Sequence, residues 1–219
     1  MFVLDAANIQ LFARGAWTAA SVFSVTMALS LVLGTLLGII AAQSERQSAV
    51  PLRHILNGFS FVFRGVPLIV QILYIYYGSS AFGIRPTRFL GAVIAFTGFA
   101  TASVLEIVRA GVNSVPSGQW MAAQSLGMSQ TSVLRYVILP QAIRVVIPPI
   151  VGFAAQLIKS TSIVSLIGLL DVTFAGGVVA SRTGAPLLVY SLVGATYFVL
   201  AYPVSKLGEW LEGRAAFTS

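Results

Sequence analysis

The stretch GAWTAASVFSVTMALSLVLGTLLGIIAA, residues 15–42, carries no charged side chain over 28 positions. About 20 predominantly apolar residues suffice for a helix to cross the hydrocarbon of a bilayer. In lipid every backbone N–H and C=O has to find a partner inside the segment, so such a run reads as a membrane-spanning helix. It is too long for the apolar core of a signal peptide, and Asp5 stands ahead of Arg14 where a basic leader would begin. It is therefore expected to be a retained helix rather than a cleaved one.

The remaining composition agrees. Of 219 residues, 57% are hydrophobic and only 9% charged, and mean hydropathy is +0.91. A soluble domain is about a quarter charged, so this chain lacks the polar cover for a water-facing surface. Disorder would need the opposite balance. The absence of cysteine excludes a disulfide scaffold, a cysteine-based zinc site and a thiol nucleophile. The net charge of +7 would point to nucleic acid in a soluble protein. Here the basic residues are scattered between apolar runs, as in cytoplasmic loops, and form no nucleic-acid patch.

Four further runs follow: residues 65–84, 89–105, 145–170 (broken by Lys159) and 183–205. The expectation is an all-α integral membrane protein with about five transmembrane helices, one domain over residues 1–219, and no internal repeat. With five spans, Arg46, Arg53, Arg109, Arg135, Arg144, Lys206 and Arg214 share one side, and Arg14, Arg85, Arg88 and Arg182 the other. The positive-inside bias then puts the N-terminus outside and the C-terminus in the cytoplasm. Five helices leave little room for a sealed pathway, so a dimer with the route at or near its interface is expected.

Residues 111–144, GVNSVPSGQWMAAQSLGMSQTSVLRYVILPQAIR, are too polar to span and too patterned for a floppy loop. Pro116, Ser117 and Gly118 signal a turn. Ser117 can cap a short helix over 119–126 with Trp120, Ala123 and Leu126 on one face. Gly127 stands where a left-handed C-cap belongs. Ser129 can cap a second helix reaching about Leu139, ended by Pro140. Two short helices with a small-residue knuckle fit a docking element. They equally fit a helix in the headgroup layer anchored by Trp120.

This loop resembles the cytoplasmic signature loop of ABC-importer permeases. The residues that carry the likeness are Glu106 to Gly111, Val115 to Trp120, Ala122-Ala123, Leu126-Gly127-Met128 and Leu139 to Ala142. With the stretches from Phe63 to Gln71 and from Lys159 to Ser165, the chain is similar to the polar amino-acid (histidine, glutamine, arginine type) subfamily over roughly residues 10–215. The resemblance implies the type I importer permease fold, a bacterial inner-membrane location and a homo- or heterodimer. It also implies a periplasmic solute-binding protein and a separate ATP-binding subunit that holds ATP-Mg. The helix around Ala122 and Ala123 would be the coupling helix. Gly118, Trp120, Ala122, Ala123, Leu126, Gly127 and Arg135 would then serve docking. The chain itself has no phosphate-binding loop and no cofactor of its own, Gly176-Gly177 lacking the Lys-Ser/Thr that would follow.

Two departures matter. Relatives usually carry Glu before the paired alanines, where Met121 stands, so docking is expected to lean on Trp120, Ala123, Leu126 and Arg135. Many relatives carry Asp after the lysine, where Ser160 stands, and Phe153 is likewise not acidic. A cation in a low-dielectric pathway needs an opposite charge, so neutral or acidic amino acids are expected rather than basic ones. Gln71, Lys159, Ser160, Thr161 and Ser162 are the pathway candidates. Gln71 fits helix–helix bonding equally well, and Lys159 could instead snorkel.

Other polar residues read more plainly. Arg64 suits a headgroup anchor. Glu106 and Arg109, at i and i+3, can pair on one helix face. Asp171 reads as a solvated loop carboxylate, with contact to the binding protein as the alternative. His54, the only histidine, has no acidic or serine neighbour for catalysis or metal. A stand-alone secondary carrier is the competing class, but none of the six acids falls mid-span, where ion-coupled carriers usually need one. An intramembrane enzyme would require a nucleophile with His, Asp or Glu beside it.

Overall fold

The computed structural model describes residues 5–46 and 50–216 and is nearly all helix. Helix α1 runs Ala6–Arg46. At about 1.5 Å per residue its 41 residues reach about 60 Å, twice the hydrocarbon thickness, so one end stands clear of the membrane. Its buried side is a stripe of mostly small residues spaced three or four apart: Gly15, Ala19, Val22, Thr26, Ser30, Gly34, Gly38 and Ala42. Helix α4, Arg88–Ser114, lies along that stripe. A Cβ on Gly34 would sit 2.6 Å from Cβ of Val104, and one on Gly38 2.7 Å from Cβ of Val108. In lipid, where apolar surface has no water to escape, such close approach supplies the dispersion contacts that hold helices together.

The run at 65–84 does not cross as one straight helix. Helix α2, Val50–Gly65, and the segment Leu68–Phe82 meet at a 98° bend. The segment consists of α3, Leu68–Leu73, a π-helical turn Tyr74–Gly78 and a 3-10 turn Ser79–Phe82. Pro67 sets the break: it brings no N–H to the helix and forces Val66 out of helical geometry. Arg53 and His54 lie on α2. Among the described residues four helices are individually long and apolar enough to span, Ala6–Arg46, Arg88–Ser114, Gln130–Ile167 and Pro186–Leu211, and the bent pair makes a fifth.

After α4 come the short helices α5, Ser117–Ser125, and α6, Gln130–Val133. Pro140 does not end the second of these, contrary to the sequence expectation. A π-helical turn over Leu134–Ile138 leads straight into α7, Leu139–Ser160, with Pro140 in its first turn. There a missing N–H costs nothing, and the wider turn makes room for the ring. A 3-10 turn, Thr161–Ile167, follows, then α8, Val172–Thr183, and α9, Pro186–Ala216. Helix α8 is too short to span.

Asp171 is fully buried, not solvated. Its Oδ1 accepts from the Phe174 N–H at 2.8 Å and so caps α8, and its Oδ2 accepts from the Tyr197 hydroxyl of α9 at 2.7 Å. Lying outside the spans, it has its carboxyl pKa pushed up by burial, against the pull of those hydrogen bonds. Gly15 of α1 packs on the backbone here, its virtual Cβ 2.6 Å from the Asp171 carbonyl oxygen. The residue fastens three helices and is unavailable to a solute-binding protein.

Candidate coupling surface and translocation cavity

Helix α5 begins at Ser117, and Pro116 before it takes the N-cap place expected of Ser117 and offers no side-chain cap. It ends as the sequence implies: Gly127 is left-handed at φ 78°, and the Met128 N–H reaches back to the Ala123 carbonyl at 3.3 Å. Ser129 caps α6, accepting from the Ser132 N–H at 3.3 Å.

Trp120, Ala123 and Leu126 do not share a face. Trp120 and Ala123 are buried, in one apolar cluster with Val112, Val115, Val133, Leu134 and Ile138. Leu126 is the C-cap, leaves the helical path at φ −81°, ψ 7° and is 83% exposed. At 100° per residue the outward face is instead Gly118, Met121, Ala122 and Ser125. The buried pair therefore clamps α5 to the end of α4, to α6 and to the π-helical turn that leads into α7, and a different set of side chains meets the surroundings. Arg135 is exposed, its guanidinium 5.5 Å from the Tyr136 ring. From the far end of α1, Arg46 lays its guanidinium 4.1 Å above the Trp120 ring.

On the membrane side of the knuckle a charge network joins α1, α2 and α4. The Arg109 guanidinium pairs with Glu106, as its spacing implies, donates to Asn57 Oδ1 at 2.7 Å and lies 3.4 Å from Glu45. Glu106 also accepts from the Ser60 hydroxyl at 2.6 Å, with Arg64 3.9 Å away. Arg64 thus faces a carboxylate rather than serving only as a headgroup anchor.

Next to this network opens a cavity of about 520 Å³. Phe99, Ser103, Glu106, Phe153, Gln156 and Ser160 line it, with Arg64 and Pro67 at the bend. Of the pathway candidates only Ser160 is in its wall. Gln71 is buried, and its Nε2 donates to the Phe63 carbonyl at 2.8 Å and the Val66 carbonyl at 2.7 Å. It closes the end of α2 across the proline break. Lys159 is exposed and does not line the cavity, Thr161 is fully buried and donates to the Ile158 carbonyl, and Ser162 is half-buried. Sequence reasoning missed Ser103 and Gln156, whose spacing carries no signal until α4 and α7 are placed side by side. Among the described residues no group of His, Asp or Glu could hold a metal ion.

Residues 34–215 match the family described as binding-protein-dependent transport system inner membrane component. The chain belongs to that family. Among curated relatives, the L-cystine transport system permease protein TcyB of Bacillus subtilis is 35% identical over 85% of this chain and 80% of its own. The arginine transport system permease protein ArtQ of the same organism is 32% identical, covering 84% of each. A crystal structure of an amino acid ABC transporter with histidines superposes with a TM-score of 0.81 at 35% identity, over 94% of both chains. The fold is accordingly that of the type I ABC-importer permeases, and the chain is an inner-membrane subunit, not an enzyme. Permeases of this family work with a solute-binding protein and with a separate subunit that hydrolyses ATP.

Proposed function

We propose that this permease imports polar amino acids, neutral or acidic rather than basic, and that it is driven through α5. Two copies, or one copy and a paralogue, would enclose the route. The N-terminus would face the periplasm and the C-terminus the cytoplasm. A binding protein would load the outer face, and ATP-Mg would be held by the partner subunit. The single observation that carries the reading is the fastening of α5. Trp120 and Ala123 are sunk in the bundle's apolar core while Gly118, Met121 and Ala122 stay outside. A helix held in this way passes on a rigid-body displacement instead of absorbing it, which is what a bistable bundle biased by nucleotide requires.

The substrate preference rests on the cavity. Its one carboxylate, Glu106, is already met by Arg109, Arg64 and Ser60. No free negative charge remains in its wall for a cationic side chain, whereas Arg64, half exposed, can face a substrate carboxylate. An uptake assay in proteoliposomes tests both parts. Accumulation is expected only with binding protein, ATP-binding subunit and ATP present, and excess glutamine or glutamate should compete better than arginine or lysine. Uptake without the ATP-binding subunit would refute the coupling. Preferential competition by arginine would refute the substrate class.

A further inference from the structure

Where α1 ends against the knuckle, a second cavity of about 380 Å³ opens between Arg46, Ser117, Trp120, Met121, Gln124 and Gln130. Arg46 is exposed on its rim and has no carboxylate partner among the described residues. Its guanidinium is steered by the Trp120 ring 4.1 Å below, through the attraction of a cation for the face of an aromatic ring. The buried indole N–H finds no hydrogen-bond acceptor among the described residues. From residue 111 to residue 144 the chain has no Asp or Glu, and its only charged side chains are Arg135 and Arg144. The knuckle itself therefore carries no negative charge, and Glu45, next to Arg46 on α1, is already taken up by Arg109 and Asn113.

Such a surface sets a condition on whatever covers it. A partner flush against Met121 and Ala122 desolvates Arg46, and a desolvated guanidinium with no opposite charge is costly. We propose that this cavity receives a carboxylate side chain of the ATP-binding subunit, paired with Arg46. The proposal rests on the coupling role of α5 and adds the polarity of the contact: cation on the permease, anion on the motor. Helix α1, which carries Arg46 and packs along α4 through its glycines, would then feel the motor directly as well as through α5.

The test measures affinity between the purified permease and its ATP-binding subunit in neutral detergent with no lipid added. Arg46→Glu is expected to weaken binding roughly tenfold, equivalent to about 1.4 kcal/mol, and Arg46→Lys to keep most of it. Wild-type affinity should fall with added salt more steeply than that of Arg46→Gln. One Asp or Glu to Lys change on the ATP-binding subunit should restore binding to Arg46→Glu. Unchanged thermal melting of the variants would confirm that the bundle is intact, and Arg46→Gln, which removes the charge, against Arg46→Lys, which keeps it, decides the matter if Arg46→Glu misfolds. Equal affinity of wild type, Arg46→Gln and Arg46→Glu overturns the proposal while leaving coupling through α5 standing. So does an effect seen only when anionic phospholipid is added, which assigns the cavity to a headgroup phosphate. Failure of the wild-type protein to bind the subunit at all removes the coupling reading itself.

Discussion

A single amide holds the 98° bend between α2 and the segment that follows it. Gln71 gives both N–H bonds to the carbonyls of Phe63 and Val66, which the Pro67 break leaves without helical donors. Replacing it by Leu removes both bonds and strands two backbone acceptors in an apolar setting. Each stranded group costs about 1–3 kcal/mol, so Gln71→Leu should lower the melting temperature of the detergent-solubilised protein clearly. Gln71→Glu, which keeps the size but loses the donors, should do no better. A melting temperature equal to wild type would remove this role. From sequence alone Gln71 was open between pathway and helix bonding, because its partners lie on the far side of a break whose angle no local pattern encodes. Asp171 was misread for a related reason. An acid just before a helix start looks solvated until Tyr197, 26 residues later, comes to lie over it.

At the scale of elements, legibility follows the range of the forces. The left-handed Gly127, the Ser129 cap and the Glu106–Arg109 pair were readable because each acts within a turn of chain. The inward turn of Trp120 and Ala123 was half readable: their spacing put them on one face, but Leu126 leaves that face once the helix closes. The passage through Pro140 was not readable, since a proline ends a helix or opens one depending on whether the turn before it can widen. The α1–α4 contact gives the clearest element-scale prediction. Gly38→Leu puts a side chain where even a Cβ would be 2.7 Å from Val108 and 2.8 Å from the Leu105 carbonyl oxygen. Overpacking of this kind costs about 1–3 kcal/mol, and here it bears on backbone that cannot turn aside. The variant should melt well below wild type, whereas Gly58→Leu, with open space around it, should not. Equal melting of the two would contradict the packing described.

Across the whole molecule, composition sufficed for a helical membrane protein, because 57% hydrophobic and 9% charged leaves no other solvent for the chain. The family likeness was legible in the order of its motifs. What sequence could not supply was how the pieces share load. One end of α1 packs against Asp171, and the other, through Glu45 and Arg46, against the charge network and the knuckle. On the function proposed above, α5 is the cytoplasmic face through which an ATP-binding subunit moves this frame. Because the chain has no cysteine, Ala122→Cys introduces a unique thiol on the outward side of α5. The most direct measurement is its labelling by a membrane-impermeant maleimide in sealed vesicles of either orientation, with and without the ATP-binding subunit. Labelling is expected only where the cytoplasmic face is open, with protection when the subunit is bound. Labelling from the periplasmic face, or labelling that the bound subunit leaves unchanged, would contradict it.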